Sequence, residues 1–178
     1  MINIVLFEPE IPANTGNIMR TCVVFNCKLH LIEPLGFSLD EKHLRRSGMD
    51  YIKDLEYFTY PNWQGFYDNH SQGRYIYFTR YGFKHLGELK LEHHCQEEDL
   101  YLVFGKESTG IDKGILVEHL DECYRIPMDA KARSLNLSNC VALGTYEVLR
   151  QLNFPNLSTK EVIKGEDFLI HQQEIKND

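Results

Sequence analysis

The sequence predicts an α/β domain with a largely parallel sheet and helices on both faces. Three observations predict it. Short, nearly unbroken apolar runs, INIVLF at 2–7, KLHLIE at 28–33 and DLYLVF at 99–104, read as strands covered on both sides, because a strand with one wet face would alternate. Stretches with helical period lie between these runs, so strand and helix signals take turns along the chain. The length, 178 residues, suits one domain with a real core.

Ile2 to Phe7 is the first strand, and Glu8-Pro9-Glu10-Ile11-Pro12 turns the chain. Asn14 is suited to cap a helix to about Asn26, with Ile18, Cys22 and Phe25 on its buried stripe and Arg20 on the opposite side. Lys28 to Glu33 is the second strand, ended by Pro34-Leu35-Gly36. Asp40 then caps a short helix, Glu41 to Arg46. Its crowded Lys42, His43, Arg45 and Arg46 read either as a solvated face or as a phosphate-contacting patch. Asp50 to Tyr60 is ambiguous, with a strand signal around Leu55 to Phe58. Asn62 to His70 suggests a helix, Arg74 to Thr79 a third strand, and Gly82 to His94 an irregular loop. Asp99 to Phe104 is a fourth strand that runs into Gly105-Lys106-Glu107-Ser108-Thr109-Gly110. Asp112 caps a helix to about His119, and Glu122 to Ile126 leads to a strand end at Tyr124 to Met128.

A polar loop, Asp129 to Ser134, precedes a helix from about Leu137. Leu137, Val141, Gly144, Val148 and Leu152 form one stripe, which Ala142, Thr145, Tyr146 and Leu149 widen. A helix apolar over so wide an arc is expected to be covered on two sides, one by its own sheet and the other by a partner subunit. Arg133, Ser134, Asn136, Ser138 and Asn139 crowd at its start, where backbone N–H groups lack partners. Residues 1–155 are expected to form the domain. Residues 156–178 form a polar extension with a small apolar cluster at Phe168 to Ile170, most simply a frayed appendage.

Composition narrows the function. The net charge of −7 argues weakly against nucleic acid, although a local basic patch can bind phosphates on an acidic protein. No apolar run is long enough to span a bilayer, and the N-terminus reads as a strand rather than a signal peptide, so no membrane partner is expected. Five cysteines without a Cys-x-x-Cys pair suit reduced thiols in a cytoplasm. His93-His94-Cys95 invites a zinc reading, but adjacent residues seldom converge on one ion and no second ligand pair follows, so no metal is expected. Gly105-Lys106 is not a nucleotide-binding P-loop, because Leu100 and Glu107 stand where that motif needs Gly and Ser or Thr.

Three blocks carry a more specific signal: P-x-N-T-G-N-I-x-R at 12–20, F-G-x-E-x-x-G at 104–110, and R-I-P-M with S-L-N-L-S-N-C-V-A at 125–142, followed by Tyr146 and Glu147. In order and spacing they resemble the motifs of the SPOUT RNA methyltransferases, and among these the TrmL (YibK) type, which methylates the 2'-hydroxyl of the tRNA wobble nucleotide. The resemblance runs from about residue 2 to 154. It implies a C-terminal trefoil knot and a homodimer paired through the first and last helices. It implies S-adenosyl-L-methionine held by Phe78, Thr79, Gly105, Glu107, Gly110, Ile126, Met128, Ser134 and Leu135. It implies Arg20 at the ribose, with Asn14, Glu107, Ser134 and Asn136 around it, and it links Arg133 and Tyr146 to activity or RNA. Lys42, Arg45, Arg46 and Arg133 are the candidate phosphate contacts on tRNA. A guanidinium almost never loses its proton, so Arg20 is read as a fixed cation that orients the ribose and stabilises the forming alkoxide. The proton leaves through phosphate, Glu107 or water. The implied substrate is a wobble cytidine or modified uridine, in leucine tRNAs.

Two other readings compete. An RNA-binding relative without catalysis predicts loss of Arg20, Glu107 or Asn136, and all three are present. A nucleotide-binding α/β protein unrelated to RNA predicts no pairing of the first and third blocks, and both are present.

Overall fold

The computed structural model of the protein describes residues 1–39, 53–91 and 98–177. Its strands are β1 (Ile2–Phe7), β2 (Lys28–Ile32), β3 (Tyr57–Tyr60), β4 (Arg74–Phe78), β5 (Lys84–His85), β6 (Leu100–Phe104) and β7 (Cys123–Arg125). They form one seven-stranded sheet in the order β3-β2-β1-β6-β4-β7-β5, with every pairing parallel. The unbroken apolar runs follow from this arrangement. All of β1 and β6 is buried, and successive side chains enter different cores.

Among the described residues the helices are α1 (Pro12–Val24), α2 (Trp63–His70), α3 (Lys113–Glu118), α4 (Leu137–Gln151) and α5 (Phe168–Asn177). One face of the sheet presents Ile4, Leu6, Ile76, Leu102 and Phe104 to Ile18, Met19 and Cys22 of α1 and to Val141, Val148 and Leu149 of α4. The other presents Val5, Phe7, Tyr75, Tyr77 and Val103 to Phe66 of α2 and Leu116 of α3. Helix α4 lies close on the sheet at Gly144, where an added Cβ would come within 2.6 Å of the Phe78 ring and 3.2 Å of the Phe104 ring. Those two rings stack with centroids 4.4 Å apart. Among the described residues no helix is long and apolar enough to cross a membrane.

Several sequence expectations need correction. Asn14 does not cap α1: the helix starts at Pro12 after Ile11, and the Asn14 side chain is recruited elsewhere. Proline suits the first helical position because its φ is preset and its missing N–H would be unbonded there. Residues 82–94 are not wholly irregular. Lys84–His85 adds the edge strand β5, and Leu86–Glu88 forms a 3-10 turn capped reciprocally by His85 and Glu88. The ambiguous stretch before residue 60 holds its strand at Tyr57–Tyr60, slightly later than Leu55 to Phe58. The last strand ends at Arg125, so Ile126 to Met128 belong to the following loop. The extension is not merely frayed, since Phe168–Asn177 is helical. The expected helix at 41–46 and the His93-His94-Cys95 run lie outside the described residues.

Candidate active site

Open parallel sheets bind ligands beyond the carboxyl ends of their strands, where the strand order reverses. In this sheet β2 and β3 extend from β1 on one side, while β6, β4 and β7 extend on the other. A cleft of about 730 Å³ opens there, a size typical of small-molecule sites. Its walls come from the ends of β4 (Phe78, Thr79), β6 (Phe104 to Ile111) and β7 (Ile126, Met128), and from the start of α4. Ile11 and Asn14, at the start of α1, close one end.

The loop after β6 folds back tightly on itself. Gly105 is required there, because a Cβ would lie 2.2 Å from the Gly110 carbonyl carbon and the Ile111 nitrogen. The Gly110 N–H donates to the Lys106 carbonyl at 3.0 Å, which closes the turn.

Reciprocal carboxylates fasten this loop to the one after β1. Glu107 accepts from the backbone N–H of Glu10 at 2.8 Å and of Ile11 at 3.3 Å, and from Asn14 Nδ2 at 2.8 Å. In return, Glu10 accepts from the Ser108 hydroxyl at 2.8 Å and the Ser108 N–H at 2.9 Å. Those two bonds, the hydroxyl's first, hold the Glu10 carboxyl below the usual carboxylate range. Lys106 pairs with Glu8, whose hydrogen bond raises the ammonium pKa. Glu8 takes the left-handed backbone (φ 49°) that turns the chain out of β1.

Asn14 continues the chain of bonds. Its Oδ1 accepts from Asn136 Nδ2 at 2.9 Å. Asn136 Oδ1 in turn caps α4, accepting from the Ser138 hydroxyl at 2.7 Å and from the N–H groups of Ser138 at 2.9 Å and Asn139 at 3.4 Å. Glu107, Asn14 and Asn136, one from each sequence block, therefore form a single hydrogen-bonded series.

The structure brings most of the sequence candidates together. Phe78, Thr79, Gly105, Glu107, Gly110, Ile126, Met128, Ser134 and Leu135 all line the cleft, as do Asn14, Asn136 and Arg133. Arg20 and Tyr146 do not. Arg20 is exposed on α1, six residues beyond Asn14 and so about 9 Å along the axis on another face. Tyr146 is exposed on α4, with its ring 5.6 Å from that of Phe154. Lys42, Arg45 and Arg46 fall outside the described residues. Sequence reasoning missed Arg80, Tyr81, Lys113 and Cys140, all of which line the cleft. The one available signal was a basic and an aromatic residue directly after a strand end.

The model of the SpoU rRNA Methylase family matches residues 1–146. A tRNA (cytidine(34)-2'-O)-methyltransferase of Saccharophagus degradans is 47% identical over 156 residues, covering 86% of this chain and 97% of that protein. A solved structure concerned with the 2-OH methylation of C/U34 on tRNA is 36% identical, with a TM-score of 0.78, covering 86% of this chain and 97% of that one. The SpoU methyltransferase AviRb from Streptomyces viridochromogenes, in complex with the cofactor AdoMet, shares the fold: TM-score 0.70 at 21% identity, covering 84% of this chain and 57% of that one. With sequence match, sheet order and cleft in agreement, the chain belongs to the SpoU rRNA Methylase family.

Proposed function

We infer that this protein is an S-adenosylmethionine-dependent tRNA methyltransferase that modifies the ribose 2'-hydroxyl of the wobble nucleotide, a cytidine or modified uridine. The observation that carries the reading is the Glu107–Asn14–Asn136 series, which gathers three distant sequence blocks at one cleft. The 47% identity to a protein named for methylation at cytidine 34 supports the choice of target.

The lining fits the cofactor. Apolar Ile126 and Leu135 offer surfaces for an adenine ring, and Thr79, Ser134 and the turn at Gly110 offer polar atoms at the edge. A Cβ on Gly110 would meet no atom within 4 Å, so the backbone there is open to a ligand. S-adenosylmethionine supplies an electrophilic methyl group when bound. The protein must then hold the ribose hydroxyl in line, stabilise the oxyanion as it forms, and let the proton leave.

Asn14 and Asn136 are the positioning groups, because their amides are locked by Glu107 and by the start of α4. Glu107 is occupied by three donors, so its role is to fix that geometry, and the proton leaves through phosphate or water. Arg20 remains the cation for the forming alkoxide. Since it does not line its own cleft, the proposal assigns it to the cleft of a partner subunit in a homodimer. In support, α1 and α4 pack together and leave Val24, Leu143 and Tyr146 exposed. The catalytic unit is residues 1–155, and no described residue of the 156–178 extension lines the cleft. Cys22, Cys27, Cys123 and Cys140 are free thiols, which suits a reducing cytoplasm.

A tRNA carrying a 2'-deoxy wobble nucleotide tests the reading. It should bind nearly as well as the intact tRNA and accept no methyl group from labelled cofactor. Continued methylation would move the target to a base or to another nucleotide.

A further inference from the structure

Among the described residues, four cationic side chains line the cleft, Arg80, Lys106, Lys113 and Arg133, against one carboxylate, Glu107. Lys106 is held by Glu8, and Glu107 is bound to the α1 loop. Arg80, Lys113 and Arg133 are exposed at the rim. This local excess runs against a chain whose net charge is −7. It is also the wrong sign for S-adenosylmethionine, whose sulfonium and ammonium outweigh its carboxylate. It suits a phosphodiester backbone.

An aromatic ring sits among these cations. Tyr81 is 58% exposed, with Lys113 Nζ 5.5 Å and Arg80 Cζ 5.9 Å from its ring centroid. Such exposed, loose contacts are weak, and an incoming base can replace them. The backbone beneath the ring is well anchored. The Tyr81 N–H donates to Thr79 Oγ1 at 3.3 Å and the Gly82 N–H to the Thr79 carbonyl at 3.3 Å. Gly82 rests directly on β7, where a Cβ would meet Tyr124 backbone at 2.8 Å. The ring is therefore accessible while its mount is rigid, which lowers the ordering cost of stacking.

We propose that Tyr81 is a stacking platform for an unpaired RNA nucleotide at the mouth of the cleft, with Arg80 and Lys113 meeting the adjoining phosphates. The proposal rests on the reading of the chain as an RNA methyltransferase and names where that RNA is held. Aromatic stacking tolerates any base, and loop nucleotides are free to splay onto it.

The test uses the full-length protein and an anticodon stem-loop RNA with 2-aminopurine in its loop, a base whose fluorescence falls on stacking. Wild type should quench it. Tyr81→Ala should abolish the quench and weaken RNA binding by roughly tenfold, the scale of one lost aromatic stack. Tyr81→Phe, which keeps the ring, should restore most of both. Calorimetric affinity for S-adenosylmethionine should stay the same in Tyr81→Ala, which also shows that the variant is folded. Equal losses of cofactor and RNA affinity would overturn the proposal, because the ring would then be covering the cofactor. Unchanged quench and RNA affinity would overturn it as well. A wild type that binds and quenches the loop but transfers no methyl group to tRNA would defeat the functional reading and leave the platform standing.

Discussion

Glu107 shows how one residue's role depends on its neighbours. In the sequence it is a carboxylate in a glycine-rich loop and a candidate proton acceptor. In the structure both its oxygens are occupied, by two backbone N–H groups and by Asn14. A glutamine there has one acceptor oxygen and an amide that opposes a donor, so Glu107→Gln leaves at least one N–H facing the wrong group. The substitution should cost about 1–3 kcal/mol of stability and lower turnover. If Glu107 only positions Asn14, the pH profile of the remaining activity should match that of wild type. A profile that loses its alkaline limb would return Glu107 to the role of base. Thermal melting together with a pH–rate curve separates the two.

At the scale of elements, β1, β2, β3, β6 and α2 share a partly buried polar series away from the cleft. Tyr101 OH meets His70 Nδ1 at 2.9 Å, and His70 Nε2 meets Tyr60 OH at 3.0 Å. Tyr60 OH meets His30 Nδ1 at 3.0 Å, and His30 Nε2 meets Asn3 Oδ1 at 3.1 Å. Asn3 Nδ2 donates to the Leu100 carbonyl, so its oxygen must be the atom that faces His30. His30 therefore donates from Nε2, and with both rings neutral, as their burial favours, each tyrosine hydroxyl donates to a histidine Nδ1 and His70 donates from Nε2 to Tyr60. Burial, then His70 and Lys28, push His30 down from its ordinary 6.5 to about 4. Burial lowers His70 as well. Between pH 6.5 and 4 the unfolded chain binds the proton that folded His30 refuses. Stability should therefore be full above about pH 6.5 and fall as the pH drops toward 4, by on the order of 3 kcal/mol from His30. Urea midpoints across that range provide the check, and the decline should flatten in His30→Gln. An equally steep decline in that variant would place its source elsewhere.

For the whole molecule, the proposed placing of Arg20 in the cleft of a partner subunit would make assembly part of the chemistry. Sedimentation equilibrium should return a dimer at micromolar concentration. Arg20→Ala should keep its affinity for S-adenosylmethionine and lose turnover, and Asn136→Ala should be impaired through its own cleft. Hybrids of the two contain one cleft with an intact Asn136 that faces an intact Arg20. Random assembly of equal amounts makes half the dimers hybrid with one good site of two, so about a quarter of wild-type activity should return. No recovery on co-refolding would mean that Arg20 works within its own subunit.

The sequence by itself determined the fold class and most of the elements. Each of these rests on local signals. Short unbroken apolar runs bounded by turn residues suit strands covered on both faces, the Asp112 and Asn136 caps sit directly ahead of their helices, and the glycine loop declares a close approach within six residues. Tertiary structure decided what depends on distant partners. Asn14 has the chemistry of a cap but lies inside a helix that starts at Pro12, and its partner there is Glu107, 93 positions later. The two-residue strand β5 is too short to carry a pattern and exists because β7 offers it an edge. Tyr81 reads as an ordinary loop aromatic until Lys113 and the cleft are brought beside it. The faces of α1 follow from periodicity, but which face meets the cleft follows from the crossing of α1 and α4 over the sheet, and no local signal encodes that crossing.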